Sequence, residues 1–270
     1  MNDMYNPSPE LQRWLDAMSQ VSGYLWEKGW AERNAGNMSI DVTDCCEAGG
    51  AAGGLRRFTH AYPTLAGRLF LVTGSGHCFR ECADDLSHNA CILQITKAGE
   101  GYRIVWGGQG EDDFRPTSEF PSHMRIHELL QEQKVAQKVV LHTHPTELIA
   151  LSHLPEYHDE ETLNRALWSI HPEVKVNLPR GVGLAAYTLP GSENLAEATV
   201  AAFRRNHAIA VWQYHGCVAI GHDVLEAFDL IHTLNKAAQV ILLCRAAGHI
   251  PQGLTDEQIA EMVDAFKLQE

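Results

Sequence analysis

The stretch Val139-Val140-Leu141-His142-Thr143-His144 is an apolar, β-branched run that ends in two histidines one residue apart. Such a run reads as a buried strand. Successive side chains on a strand alternate between faces, so His142 and His144 leave the same face, roughly 6 to 7 Å apart along the chain. Two imidazoles at that separation can share one zinc-like metal ion, but a site of two ligands is weak, and a third has to come from elsewhere. The plainer alternative is a pair of surface histidines at a strand end.

His215 has a similar setting. It closes the apolar run Ile209 to Tyr214 and is followed by Gly216, so a third imidazole from a neighbouring strand end could complete an open, catalytic type of site. Read alone, His215-Gly216 is more simply an ordinary hairpin turn, with a structural histidine.

Working outward, the strand is flanked by amphipathic helical patterns. Ser8-Pro9-Glu10 carries a serine N-cap and a first-turn proline, and Leu11, Leu15, Met18, Val21 and Leu25 follow at helical spacing up to Lys28-Gly29. Further helices are expected near Thr117–Leu130, Thr146–Leu151, Glu160–Trp168, Ser192–Asn206 and Asp223–Ala247, with a last one opened by the capping box Thr255-Asp-Glu-Gln258. Thr117 or Ser118 is the expected cap of the first of these. Strands are expected around Met38–Val42, Leu69–Val72, Cys91–Ile95, Tyr102–Trp106, Val174–Leu178 and Cys217–Ile220. Residues 44 to 64, with a Gly/Ala cluster at Gly49 to Gly54, read as a surface loop. No repeat, charge run or Pro/Ser-rich linker divides the chain. One α/β domain over residues 1–270 is expected, with a mixed, mostly antiparallel sheet covered by helices on both faces.

Composition narrows the function. In 270 residues, 45% are hydrophobic, enough for a sizeable core, and the formal net charge is −13. That charge disfavours nucleic acid or an anionic membrane as partner, since both require a basic face. No apolar run approaches the roughly 18 residues of a membrane span, and Met1 to Pro7 does not resemble a secretion signal. Seven cysteines without a paired motif fit a reduced, cytoplasmic setting.

Several polar residues remain as candidates. Glu119 stands at a helix start, where backbone N–H groups favour a carboxylate, and is a plausible general base. Glu119, His123 and His127 also recur at i, i+4 and i+8, a rival metal set that ranks below the strand histidines because Phe120, Met124 and Leu130 mark an ordinary amphipathic helix. Asn34-Ala-Gly36-Asn37 and Thr73-Gly74-Ser75-Gly76 are turns with small residues and exposed N–H groups, suited to an anion. Neither follows a nucleotide-binding pattern. Glu173, read as standing just before a strand, is a second candidate carboxylate.

Taken in order, Asn34-x-Gly36-Asn37, Thr73-Gly74-Ser75-Gly76, Thr117-Ser118-Glu119, His142-x-His144 and His215-Gly216 resemble the class II aldolase/adducin family of zinc-dependent sugar-phosphate enzymes, over residues 10 to 245. The resemblance implies a three-layer α/β/α sandwich. It implies that His142, His144 and His215 hold one Zn²⁺ per subunit and that Glu119 transfers the proton. Asn34, Gly36, Asn37, Gly74, Ser75, Gly76, Thr117 and Ser118 would surround the substrate phosphate, with Glu173 acting on the aldehyde side across a subunit boundary. It further implies a cyclic homotetramer that cleaves a sugar phosphate. The alternatives on the same scaffold are an aldolase for another sugar phosphate, an epimerase, a dehydratase or a non-catalytic, adducin-like binding module.

Overall fold

The computed structural model describes residues 7–46 and 53–269, so most of the Gly/Ala cluster lies outside the described residues. The helices are α1 (Pro9–Glu27), α2 (Phe79–Asp84), α3 (Leu86–Asn89), α4 (Phe120–Gln133), α5 (Thr146–Ser152), α6 (Glu160–Ile170), α7 (Pro172–Asn177), α8 (Glu193–Phe203), α9 (Val224–Ala246) and α10 (Asp256–Phe266). The strands are β1 (Asn37–Asp41), β2 (Arg56–Arg57), β3 (Leu69–Thr73), β4 (Ala90–Ile95), β5 (Gly101–Gly107), β6 (Val139–Thr143), β7 (Gly183–Ala185), β8 (Ile209–Trp212) and β9 (Gly216–Gly221). They form one sheet in the order β2-β5-β4-β3-β1-β6-β9-β8-β7, antiparallel except for the parallel β7–β8 pair.

Alternation along the strands builds the three layers. In β6, Val139 and Leu141 join the core under α1, α5, α6 and α9, while Val140 faces the opposite core with Ile126 and Leu130 of α4 and Leu195 of α8. In β3, Leu69 and Leu71 take the first face; Phe70 and Val72 take the second, where they meet Met124 of α4. The result is the expected α/β/α sandwich. The α1 stripe Leu11, Leu15, Met18, Val21 and Leu25 is buried as its spacing predicts, each side chain stabilising the packing by roughly 1.5–3 kcal/mol. Ser8 caps α1 by accepting from Leu11 N, and the predicted capping box at Thr255 and Gln258 is present.

Three local expectations are corrected. Val174–Leu178 is not a strand: Pro172–Asn177 forms α7, with Val174 and Lys175 buried. Proline at the first helical position, with its φ already set for a helix, outweighs the β-branched Val174-Lys175-Val176 alternation. Within the 44–64 loop, Arg56 and Arg57 pair with Tyr102 and Gly101 as an edge strand. At the start of α4 the cap position belongs to Glu119, not to Thr117 or Ser118, and its carboxylate makes no capping bond. Thr117 serves that turn instead, its Oγ1 accepting from Glu119 N and its carbonyl from Phe120 N. The Glu119 side chain is thereby left to turn toward the sheet.

Candidate metal centre and active site

Four strand ends meet at one end of the sheet. Asn37 of β1 lies opposite His142 of β6, Thr143 lies opposite Cys217 of β9, and Ser39 of β1 lies opposite Val72 of β3. His142 shares the strand face of Val140, so it points toward the α4 layer, while Thr143 points away and donates to Trp30 O. β8 and β9 are joined by Gln213-Tyr214-His215, so His215 is both the hairpin residue of its bland reading and the third imidazole of the other. Gly216 makes the approach possible: a Cβ there would lie 3.0 Å from His144 Cδ2 and 3.3 Å from His142 Cε1. Trp212 backs the cluster, its ring 4.4 Å from that of His142 and stacked on His215 at 5.2 Å between centroids.

His142, His144 and His215 offer ligand atoms that all lie within 4.8 Å of one another. Hydrogen bonding decides which nitrogens are free. His142 Nδ1 donates to Cys217 O at 2.9 Å, and His144 Nδ1 donates to the Glu32 carboxylate at 2.8 Å. The two Nε2 atoms, 3.2 Å apart, therefore face each other as bare lone pairs whenever both rings are neutral. Burial favours neutrality: His142 is pulled well below the usual histidine range by desolvation and then by His144 and His215, and His215 is lowered to about 4 mainly by desolvation. Glu119 closes the fourth side, with Oε2 at 3.3 Å from His142 Nε2 and Oε1 at 3.6 Å from His215 Nε2. The facing lone pairs of His142 and His144, with the Glu119 carboxylate beside them, suit a cation among them. The 3.2 Å separation fits one tetrahedral ion, whose nitrogen ligands at about 2.0–2.1 Å would stand about 3.3 Å apart.

Glu119 itself is buried, which raises its carboxyl above the usual range, opposed by the Asn37 Nδ2–H bond to Oε2 at 2.8 Å. A divalent cation beside it would act with Asn37 to keep it ionised. The carboxylate can thus take up and return a proton without being exposed to bulk water.

The anion-friendly turns flank this centre. Thr117 N donates to Thr73 O, Ser75 N to Arg115 O, and Gly74 bridges Pro116, which lays Thr73–Gly76 alongside Arg115–Ser118. Asn34, Ser75, Gly76 and Ser118 are exposed; Gly74 and Thr117 are buried, and Gly36 is half-buried. Gly36 has φ +77°, and a Cβ there would meet Phe79 Cε2 at 2.7 Å and His142 O at 3.0 Å, so only glycine fits this turn. Asn37 is buried with its amide committed to Glu119 and His123. Glu173 is exposed in the first turn of α7, a helix that packs on α6, α9 and α10.

The rival helix set is dismantled. His123 and His127 turn to Asn37 and Ser39 of β1, and among the described residues they belong to no metal-ligating group. Glu32, Ser39 and Trp212 were not singled out by sequence reading. Glu32 and Ser39 carried a signal nonetheless: one lies two residues before Asn34 in the same turn, and the other shares the strand face of Asn37.

A family model for the Class II Aldolase and Adducin N-terminal domain matches residues 16–242, and the chain belongs to the class II aldolase/adducin family. It is an enzyme of the metal-dependent aldolase type, with a histidine triad able to hold the metal. Its relatives narrow the likeness. The chain is 33% identical over 277 residues to the rhamnulose-1-phosphate aldolase of Bacteroides thetaiotaomicron, covering 99% of both chains. It is 34% identical over 263 residues to the rhamnulose-1-phosphate aldolase of Pectobacterium atrosepticum, covering 95% of this chain and 94% of the other. Among solved structures, a sugar-phosphate aldolase from Thermotoga maritima matches with TM-score 0.79 at 32% identity, over 90% of this chain and all of that one. Among the described residues no helix is long and apolar enough to cross a membrane.

Proposed function

We propose that this chain is a zinc-dependent aldolase that cleaves L-rhamnulose 1-phosphate to dihydroxyacetone phosphate and L-lactaldehyde, working as one domain over residues 1–270. The observation that carries the reading is the convergence of three imidazoles, two of them with bare Nε2 atoms, and the buried Glu119 carboxylate at the sheet end flanked by two anion-friendly turns. Full-length similarity to rhamnulose-1-phosphate aldolases supports this choice of substrate.

His142, His144 and His215 would hold one Zn²⁺ per subunit. When bound, the ion supplies Lewis-acid stabilisation of the negative charge that develops on the ketose oxygens as the C3–C4 bond breaks. Asn34, Gly36, Asn37, Gly74, Ser75, Gly76, Thr117 and Ser118 would bind the phosphate through N–H and hydroxyl groups, which suits a protein of net charge −13. Glu119 returns to the carbon that becomes the hydroxymethyl group of dihydroxyacetone phosphate a proton equivalent to the one lost by the aldehyde-side hydroxyl, so that the cleavage balances. Glu173, exposed on α7, would reach the aldehyde-side hydroxyl of substrate bound in a neighbouring subunit of a cytoplasmic homotetramer.

A coupled assay for dihydroxyacetone phosphate across ketose 1-phosphates tests this. Rhamnulose 1-phosphate is expected to be the best substrate; preferential cleavage of fuculose 1-phosphate, or epimerisation or dehydration in its place, would replace the specific assignment. A purified protein that binds no zinc and turns over none of the panel would instead support a binding module.

A further inference from the structure

The face of β1 that meets α4 is polar: Asn37 and Ser39 point toward the helix, while Met38 and Ile40 point into the other core. Four residues of helix advance 6 Å and two residues of strand about 6.6–6.8 Å, so the series Glu119, His123, His127 keeps step with Asn37 and Ser39. Each rung is closed. Asn37 Nδ2 lies 2.8 Å from Glu119 Oε2, His123 Nε2 2.5 Å from Asn37 Oδ1, Ser39 Oγ 2.7 Å from His123 Nδ1, and His127 Nε2 2.8 Å from Ser39 Oγ. All five residues are at most 6% exposed.

We infer that Ser39, His123 and His127 are positioning residues, forming a one-way relay of hydrogen bonds that locks the Asn37 amide and, through it, aims the Glu119 carboxylate at the reacting carbon. The direction follows from the donor inventory. Asn37 presents its NH₂ to Glu119, because the reverse orientation would set a carbonyl oxygen against a carboxylate oxygen. Its Oδ1 therefore accepts, and His123 Nε2 must donate. Burial lowers both histidines to about 3, so each ring is neutral near pH 7 and carries one N–H. His123 Nδ1 is then bare, Ser39 spends its single hydrogen on it, and Ser39 Oγ accepts from His127 Nε2–H. Every group has one permitted role. A flip of Asn37 would place NH₂ against His123 Nε2–H and oxygen against Glu119, and the relay opposes both faults at once.

The inference rests on the proposed reading of Glu119 as the proton carrier. Its test uses zinc-loaded Ser39→Ala, His123→Leu and His123→Gln, the last offering an amide that can both donate to Asn37 and accept from Ser39. Two rates are read: kcat for cleavage of L-rhamnulose 1-phosphate, and exchange of the proton α to the carbonyl of dihydroxyacetone phosphate in D₂O. In the alanine and leucine variants both rates should fall together by roughly 10- to 100-fold with KM and bound metal unchanged, because a carboxylate left free to turn misplaces the proton. His123→Gln should recover most of the loss. Unchanged kcat in the folded variants, loss of metal in step with kcat, or a glutamine variant no better than leucine would overturn the relay. Imidazole ¹⁵N NMR of the wild-type holoenzyme judges it apart from activity. Nε2–H tautomers on both His123 and His127 support it, and a proton on His123 Nδ1 refutes it. Wild-type protein inert in both assays would count against the proposed function, and the tautomers alone would then decide the relay.

Discussion

The molecule holds two groups of histidines on one side of the same sheet, and they are opposites. His142, His144 and His215 sit at strand ends with hydrogen-bond acceptors on the outer nitrogens of the first two, so lone pairs point inward to a common centre. His123 and His127 lie along a helix with hydrogen-bond partners between them and β1, so no common centre forms. Burial lowers the proton affinity of His142, His215, His123 and His127 alike. A perturbed pKa therefore does not distinguish ligand from scaffold; where the unshared nitrogens point does.

The strongest way to break this contrast is by deletion. His142→Ala or His144→Ala should abolish both bound metal and turnover, whereas His123→Ala should keep the metal; elemental analysis of the purified variants reads the difference directly. The reverse pattern would transfer the site to α4. Next in size, Glu119→Gln should retain the metal but lose about 10²–10⁴-fold in kcat, as expected for a missing acid–base group, and a near-wild-type rate would remove Glu119 from the chemistry. Glu32 sharpens the comparison further: it is exposed, yet it fixes the ring of His144 from outside. Glu32→Ala should weaken metal affinity by roughly 10- to 100-fold in chelator competition, and unaltered affinity would make that hydrogen bond incidental.

The smallest expected effect is on stability. Above pH 6.5 both His123 and His127 are neutral folded or unfolded, so they contribute no pH dependence there. Below it the unfolded chain takes up protons that the folded protein refuses until about pH 3, so stability falls with falling pH across that window, by about 1.4 kcal/mol per pH unit for each group. Urea midpoints measured between pH 4 and 6 should fall less steeply for His127→Leu than for the wild type. Parallel slopes would mean that His127 is protonated within the fold.

Much of this was legible in advance because it depends on local chemistry. The α1 stripe, the Thr255 capping box and the paired runs at 91–95 and 102–106 follow from side-chain periodicity, which each segment carries within itself. The His142-x-His144 pair is legible for the same reason, since alternation along a strand sets its face. Val174–Leu178 reads as a strand because Val-Lys-Val alternates like one, while the surroundings that bury Val174 and hold Lys175 Nζ against Pro179 O and the Trp168 ring come from neighbouring segments.

By itself the sequence determined the layers, the strand that carries two of the three candidate metal ligands and, through a joint pattern of short motifs, the family. Only the tertiary structure decided that His215 swings to the triad while His123 and His127 turn to Asn37 and Ser39, that the Glu119 carboxylate leaves its helix cap for the sheet, and that Glu32 and Trp212 belong to the centre. The physical reason is that a lone pair has direction: sequence spacing says which face a side chain leaves, but which nitrogen stays bare is settled by the acceptors that other strands and turns bring to the far side of each ring.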